Sequence, residues 1–214
     1  DIGLGIPAEP LFRSIHLVLC VTGPMAAGKN ATSSILEKMG FVSIDADLIG
    51  HDAVEICKEK ILEEFSSLAQ KNKIQLLNPD GKINRKNLGQ LLFKDEMLVK
   101  KQENIVFPYI NSVLEKFIDE NSKKNIVVNA TVLYKVNAMK KIEKILFIDS
   151  PAIVRFFRAK KRDKMKSLLI IERFFSQRFL FSQYKKTGIE IFRIINCGNL
   201  SLLQKKIERA VFKR

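Results

Sequence analysis

What the chain has little of already narrows its class. No apolar run approaches the ~20 residues needed to cross a bilayer, which excludes a membrane span and sets membranes aside as partners. Its three cysteines, Cys20, Cys57 and Cys197, are scattered and show no C-x-x-C spacing. They read as reduced, mostly buried thiols of a cytoplasmic protein. No positively charged start leads into an apolar core and cleavage site, so no signal peptide is expected. Internal repeats, low-complexity tracts and a second independent core are missing as well. Acidic residues are the scarcer charge, 23 against 37 lysines and arginines, leaving +14. Such a surplus suits nucleic acid, an anionic surface or small polyanions such as nucleoside triphosphates, or it simply solvates a lysine-rich exterior. The interleaved aromatic and basic residues that stack bases are absent, so nucleic acid is not an expected partner. The clustered cations are assigned to small polyanions, and the remainder to solvated surface. A length of 214 residues, 46% apolar and 28% charged, fits one domain of ordinary size with a substantial core.

What is present centres on Gly23-Pro24-Met25-Ala26-Ala27-Gly28-Lys29-Asn30, directly after the apolar run Leu17 to Val21. It matches the phosphate-binding pattern G-x-x-x-x-G-K-[ST] at every fixed position except the last, where Asn30 stands for a hydroxyl residue. A buried-type strand precedes it, and a helix-compatible segment, Ala31 to Met39, follows. Gly23 and Gly28 let backbone N–H groups turn inward on an anion. The new helix adds its positive end there, and Lys29 reaches the outer phosphates of a nucleotide. The plainer alternative is a glycine-rich strand-to-helix turn.

Along the chain, residues 1–14 begin without methionine, carry Gly3, Gly5, Pro7 and Pro10, and read as a flexible extension ahead of one domain at 15–214. Gly40 ends the first helix. Phe41 to Ile44 is a second strand leading into Asp45-Ala46-Asp47. Acids at strand C-termini of open parallel sheets line the ligand crevice. Asp45 is read as functional, and Asp47 as the N-cap of a helix from Leu48 to Leu68. Asn84 caps a short helix with Arg85. A further helix starts at Asp95 and is expected to break at Phe107-Pro108. Ile126 to Val128, Ile145 to Ile148 and Ile191 to Ile195 are strands, and their unbroken apolar runs suit a sheet covered on both faces. Pro151 marks a helix start, the chain is densely basic from Arg155 to Lys166, and Leu168 to Tyr184 is again helical. Strands alternating with helices predict an α/β protein with a parallel five-stranded sheet and helices on both faces.

Phosphate loops serve GTPases, motors and small-molecule kinases. The base-reading Asn-Lys-x-Asp of GTPases is missing. Asp149, the formal candidate for a motor's aspartate, comes late and leads into Pro151. A compact chain with an acid after the second strand and a late arginine-rich segment fits a nucleotide or metabolite kinase better. Several segments then converge. The phosphate loop, Asp45-Ala46-Asp47-Leu48-Ile49, Gly81-Lys82-Ile83-Asn84-Arg85-Lys86-Asn87-Leu88-Gly89, Arg158-Ala159-Lys160-Lys161-Arg162-Asp163, Arg173 with Gln177, and Ile195-Asn196-Cys197-Gly198 resemble dephospho-coenzyme A kinases in order and spacing. The likeness covers about residues 16 to 210.

The resemblance implies a P-loop kinase fold with a helical acceptor-binding part at about 48–120 and a lid at about 155–185. It implies transfer of phosphate from ATP, with magnesium, to the ribose 3′-hydroxyl of dephospho-coenzyme A. Asp45 would accept the hydroxyl proton; a loop or capping acid is the plainer role. Lys29 and the loop residues 23–31 (Gly23, Pro24, Met25, Ala26, Ala27, Gly28, Lys29, Asn30, Ala31), through the backbone N–H groups they carry, would hold ATP. Arg85, with Asp45 and Asp47, would position the acceptor, unless Arg85 is a surface arginine. Arg158 and Arg162 would lie on the lid, one of them, with Arg158 favoured, offering planar donors to the transferring phosphate. Asn196 and Gly198 would line the adenine pocket, or form a plain turn.

Three departures stand out. Asn30 replaces the magnesium-ligating hydroxyl, though an amide oxygen also suits that hard cation. Thr32 does not substitute, because two residues turn it roughly 200° around the helix. Phe107 stands where the family usually has histidine before Pro108. Asn129-Ala130-Thr131-Val132-Leu133 replaces a more apolar, proline-containing segment. These leave open a kinase of another small acceptor, such as a nucleoside monophosphate, or a degenerate module that binds ATP or RNA without catalysis.

Overall fold

The computed structural model describes residues 16–93, 95–163 and 166–212, and the expected extension at 1–14 lies outside them. Five runs rich in β-branched residues form strands: β1 (Val18–Thr22), β2 (Val42–Asp45), β3 (Ile126–Asn129), β4 (Lys144–Asp149) and β5 (Glu190–Ile195). All pair in parallel, in the order β2-β3-β1-β4-β5, with Cys20 of β1 opposite Val128 on one side and Ile145 on the other.

Alternation along the central strands divides one continuous apolar sequence between two cores. Cys20, Ile126, Val128, Ile145 and Phe147 face the larger core. It is filled by α2 (Ala46–Ile56), α3 (Lys58–Lys71), α4 (Arg85–Leu92), α5 (Glu96–Glu120) and α8 (Leu180–Lys185). Leu19, Val21, Val127, Leu146 and Ile148 face the smaller one, closed by α1 (Lys29–Lys38) and α9 (Leu200–Phe212). A third cluster joins Met25 of the phosphate loop to Ala159 of α6 (Ala152–Asp163) and Ile170 of α7 (Ser167–Ser176).

Several expected elements are redrawn. The helix read as Leu48 to Leu68 is two, α2 and α3, meeting at Cys57. The turn there lets Ala53 and Val54 of one and Ile61, Phe65 and Ala69 of the other reach the same core. The stretch from Leu168 to Tyr184 is likewise divided, into α7 and α8. Gln177 closes α7, and its side chain reaches the phosphate loop, accepting from Met25 N at 2.7 Å. The break expected at Pro108 does not occur: α5 runs through it for 25 residues. Proline removes one hydrogen bond, but Val106, Ile110, Leu114 and Ile118, every fourth residue, are all buried and hold the helix on both sides of it.

Candidate active site

The phosphate loop leaves β1 at Thr22 and enters α1 at Lys29. Its bends are conformations that only glycine takes easily. Gly23 has φ 147°, and a Cβ there would overlap the backbone carbonyl of Ile148. Gly28 has φ 111°, and a Cβ there would run into the side-chain amide of Asn196. Ala26 also adopts a positive φ, 61°, which strains a residue with a side chain. Helices α2, α4 and α5 are capped by Asp45, Asn84 and Asp95, whose side chains accept from their first-turn N–H groups. Helix α1 has no side-chain cap. Its first N–H groups and positive end are therefore left to an anion.

Lys29 Nζ donates to the Gly23 carbonyl at 3.3 Å, folding back over its own loop. Burial holds its ammonium below the ordinary value, Asp47 and then Asp45 pull it back up, and Arg162 adds to the depression. A phosphate arriving here would supply the countercharge that the burial calls for. Thr32 is fully buried, and its hydroxyl donates to the Gly28 carbonyl at 3.1 Å, so it faces away from any bound ion.

The helix cap falls to Asp45 rather than to Asp47. Asp45, the last residue of β2, caps α2: its Oδ1 accepts from Asp47 N at 2.9 Å and Leu48 N at 3.2 Å. The expected cap, Asp47, sits inside the first turn and is held by the chain leaving β3 instead. Its Oδ1 accepts from Thr131 N at 3.0 Å and its Oδ2 from Thr131 Oγ1 at 2.7 Å. Capping does not consume Asp45, because Oδ2 remains and accepts from Asn129 Nδ2 at 3.0 Å. The same Nδ2 donates to Asn30 Oδ1 at 3.2 Å. Asp45 and Asn129 are register partners on neighbouring strands, which is why both side chains emerge beside the loop. Asn129 and Thr131 thus each complement one acid of the Asp45-Ala46-Asp47 stretch.

Beneath them, Tyr184 is fully buried; its hydroxyl accepts from Leu133 N at 2.9 Å and donates to the Thr131 carbonyl at 3.2 Å. Burial pushes the Cys20 thiol alongside up to about 12, and raises the Tyr184 phenol as well. The other cysteines differ from expectation, Cys57 being half-buried and Cys197 exposed, because they lie at a helix junction and a loop rather than in the sheet.

A cleft of about 1590 Å³ opens over the strand ends. On its walls are Met25, Ala26, Gly28, Lys29, Asn30, Ala31, Asp45, Asp47, Arg158, Arg162, Asn196 and Gly198. Arg158 Nη1 reaches Ser150 Oγ at 3.4 Å and the Asn196 carbonyl at 3.3 Å. Asn196 Nδ2 donates to the Ala27 carbonyl at 2.8 Å, so this side chain is occupied in bracing the loop. Arg85 stands apart: it is exposed at the start of α4 and is not on the cleft wall. Asp149 is likewise elsewhere, paired with Arg193 at 2.5 Å. The far wall is apolar, with Val106, Phe107, Ile110, Leu133 and Val136. Sequence reasoning treated Asn129 as a departure and gave it no role, although a polar residue closing a central strand carries the same positional signal as Asp45.

Among the described residues, no group of three or more His, Cys, Asp or Glu is placed to hold a metal ion. The donors that face the loop are oxygens: Asn30 Oδ1, which spends one of two lone pairs on Asn129, and the carboxylate of Asp45. That set fits magnesium brought in on nucleotide phosphates, which keeps most of its shell as phosphate and water.

A family model described as dephospho-CoA kinase matches residues 17–188. A dephospho-CoA kinase of Treponema denticola is 34% identical over 215 residues, covering 99% of this chain and 93% of that relative. One from Treponema pallidum is 29% identical over 205 residues, covering 94% and 97%. Among solved structures, the dephospho-CoA kinase from Campylobacter jejuni is similar with TM-score 0.57 and 25% identity, covering 91% of this chain and 95% of that one. TT1252 from Thermus thermophilus reaches TM-score 0.71 at 19% identity over 91% of this chain and 94% of its own, a likeness of fold.

Proposed function

The chain belongs to the dephospho-CoA kinase family, and we propose that its cleft is where ATP and dephospho-coenzyme A meet, with Asp45 as the base. The protein is an ATP-dependent kinase of coenzyme A synthesis that phosphorylates dephospho-coenzyme A. The observation that carries the site assignment is the bridge through Asn129: hydrogen bonds of 3.0 and 3.2 Å tie the Asp45 carboxylate to the end of the phosphate loop, on one cleft wall.

Phosphoryl transfer is chiefly positioning and neutralisation of charge. The loop amides, the open start of α1 and Lys29 hold the β- and γ-phosphates. The 3′-hydroxyl of the acceptor gives its proton to Asp45 Oδ2 while its oxygen bonds to the γ-phosphorus. The bond from that phosphorus to the β–γ bridging oxygen breaks, and ADP leaves. Arg158, anchored on Ser150 and the Asn196 carbonyl, offers its remaining donors to the transferring group, and Arg162 lines the same wall. Asn30 would hold magnesium, whose charge would offset that of the β- and γ-phosphates. Phe107, Ile110 and Val136 give the acceptor an apolar wall. Arg85, outside that wall, would meet only the distal part of so long a substrate. The helices within 48–120 then form the acceptor side, residues 155–185 the lid, and the cytoplasm is the compartment this chemistry suits.

The test is ADP release from ATP and magnesium with and without dephospho-coenzyme A, beside a panel of nucleoside monophosphates. Turnover that depends on dephospho-coenzyme A, abolished in Asp45→Asn with ATP binding retained, is the expected result. Equal loss of turnover and ATP binding would remove Asp45 as the base, and preference for a monophosphate would reassign the acceptor.

A further inference from the structure

Asn129 lies beside the cleft without a part in holding either substrate, and its chemistry is costly where it lies. It is 4% exposed at the C-terminal end of β3, between Val21 and Asp45 in register. Its Oδ1 is buried with no partner. The other residues of β3, Ile126, Val127 and Val128, are apolar, and an apolar side chain at 129 would remove the orphaned oxygen and suit the strand. Packing therefore does not account for the amide. Its Nδ2 does, through the bonds to Asp45 Oδ2 and Asn30 Oδ1.

As a helix cap, Asp45 is held through Oδ1 alone, by Asp47 N and Leu48 N. One oxygen fixes the carboxylate's position but leaves its plane to turn. The Asn129 bond grips the second oxygen and fixes the plane, while one lone pair of Oδ2 stays available to the acceptor hydroxyl. Because the same nitrogen also holds Asn30, the base and the end of the phosphate loop keep a constant separation. We propose that Asn129 is a positioning residue for phosphoryl transfer, acting through Asp45 and locking it in register with the phosphate loop. The proposal rests on Asp45 being the base.

The experiment compares Asn129→Leu, Asp45→Asn and the double variant for kcat, KM, ATP affinity by calorimetry, and Tm. Asn129→Val, smaller and β-branched, serves if leucine overfills the strand end. The expected result for Asn129→Leu is a kcat lowered about 10- to 100-fold, as misplacement of a reacting group produces. ATP affinity and KM for dephospho-coenzyme A should hold, and Tm should be unchanged or higher because the orphaned oxygen is gone. In the Asp45→Asn background the second substitution should cost no further turnover. Unchanged kcat in Asn129→Leu, with Asp45→Asn inactive, would overturn the positioning role alone. So would a kcat that falls in step with Tm and ATP affinity, which is the mark of a merely structural residue. Full activity in Asp45→Asn would overturn the base assignment, and this proposal with it.

Discussion

Gly28→Ala and Asn196→Ala, singly and together, test how the phosphate loop is held. At φ 111° an alanine carries a conformational cost of about 1–2 kcal/mol. Its Cβ also overlaps the Asn196 amide, and forcing atoms into such a space costs roughly 1–3 kcal/mol. The displaced amide abandons the buried Ala27 carbonyl, for about 1–3 kcal/mol more. Asn196→Ala incurs only that last loss. In the double variant the obstructing side chain is already gone, so the overlap vanishes and the carbonyl is orphaned once rather than twice. The pair should be less destabilised than the sum of the singles by at least ~2 kcal/mol, far above the ~0.3–0.5 kcal/mol scatter of independent sites. Urea denaturation of the ligand-free protein measures this. If Gly28→Ala alone fails to fold, a folded double variant is the same result in stronger form. Additivity within about 0.5 kcal/mol, or a double variant weaker than Gly28→Ala, would refute the bracing of the loop by Asn196.

Lys29→Met should lower turnover by about 10²-fold or more yet raise the Tm of the ligand-free protein at neutral pH. Folding depresses the Lys29 ammonium, so between its lowered value and 10.5 the unfolded chain holds more protons. The penalty is complete below that window and shrinks as pH rises through it, so the Tm advantage of Lys29→Met should narrow toward 10.5; an advantage that grows with pH would contradict the sign. Asn30→Ser should lower the magnesium concentration that half-saturates turnover, since a hydroxyl at the helix start replaces an amide shared with Asn129; an unchanged value would remove Asn30 as a ligand. Brief maleimide labelling of the native protein, mapped by mass spectrometry, should modify exposed Cys197 first and leave Cys20, with its thiol pushed up to about 12, untouched until unfolding.

The phosphate loop and Asp45 were legible because each is a local signal: a spacing that only one backbone shape satisfies, and an acid at the end of an apolar run. The sheet followed from unbroken apolar runs alternating with helices, and the activity from resemblance spread over several segments rather than from charge. The capping by Asp45 rather than Asp47 was not legible, since both acids stand before the same helix, and the choice depends on Thr131 arriving from another strand. Asn129 was hidden for the same reason: its partners lie 84 and 99 residues away and meet only when β2, β3 and the loop are in register. Pro108 misled because local donor loss was weighed without the buried stripe around it. At Arg85 the helix cap formed as read, while the exposed side chain lies off the cleft wall, a placement that spacing along the chain does not disclose.

Met25 belongs to the phosphate loop by sequence and to the α6–α7 pair by packing. It is 8% exposed beside Ala159 and Ile170, its N–H donates to Gln177 Oε1 at 2.7 Å, and its sulfur accepts from Arg173 Nη1 at 3.8 Å. The loop and the two helices therefore share one fastener. Swinging α6 and α7 away from the strand ends either strips a methionine of its apolar cover, at about 1.5–3 kcal/mol, or drags the loop along and loosens its hold on phosphate. The position of the phosphate loop is thereby tied to the shape of residue 25, one side chain answering to two parts of the fold.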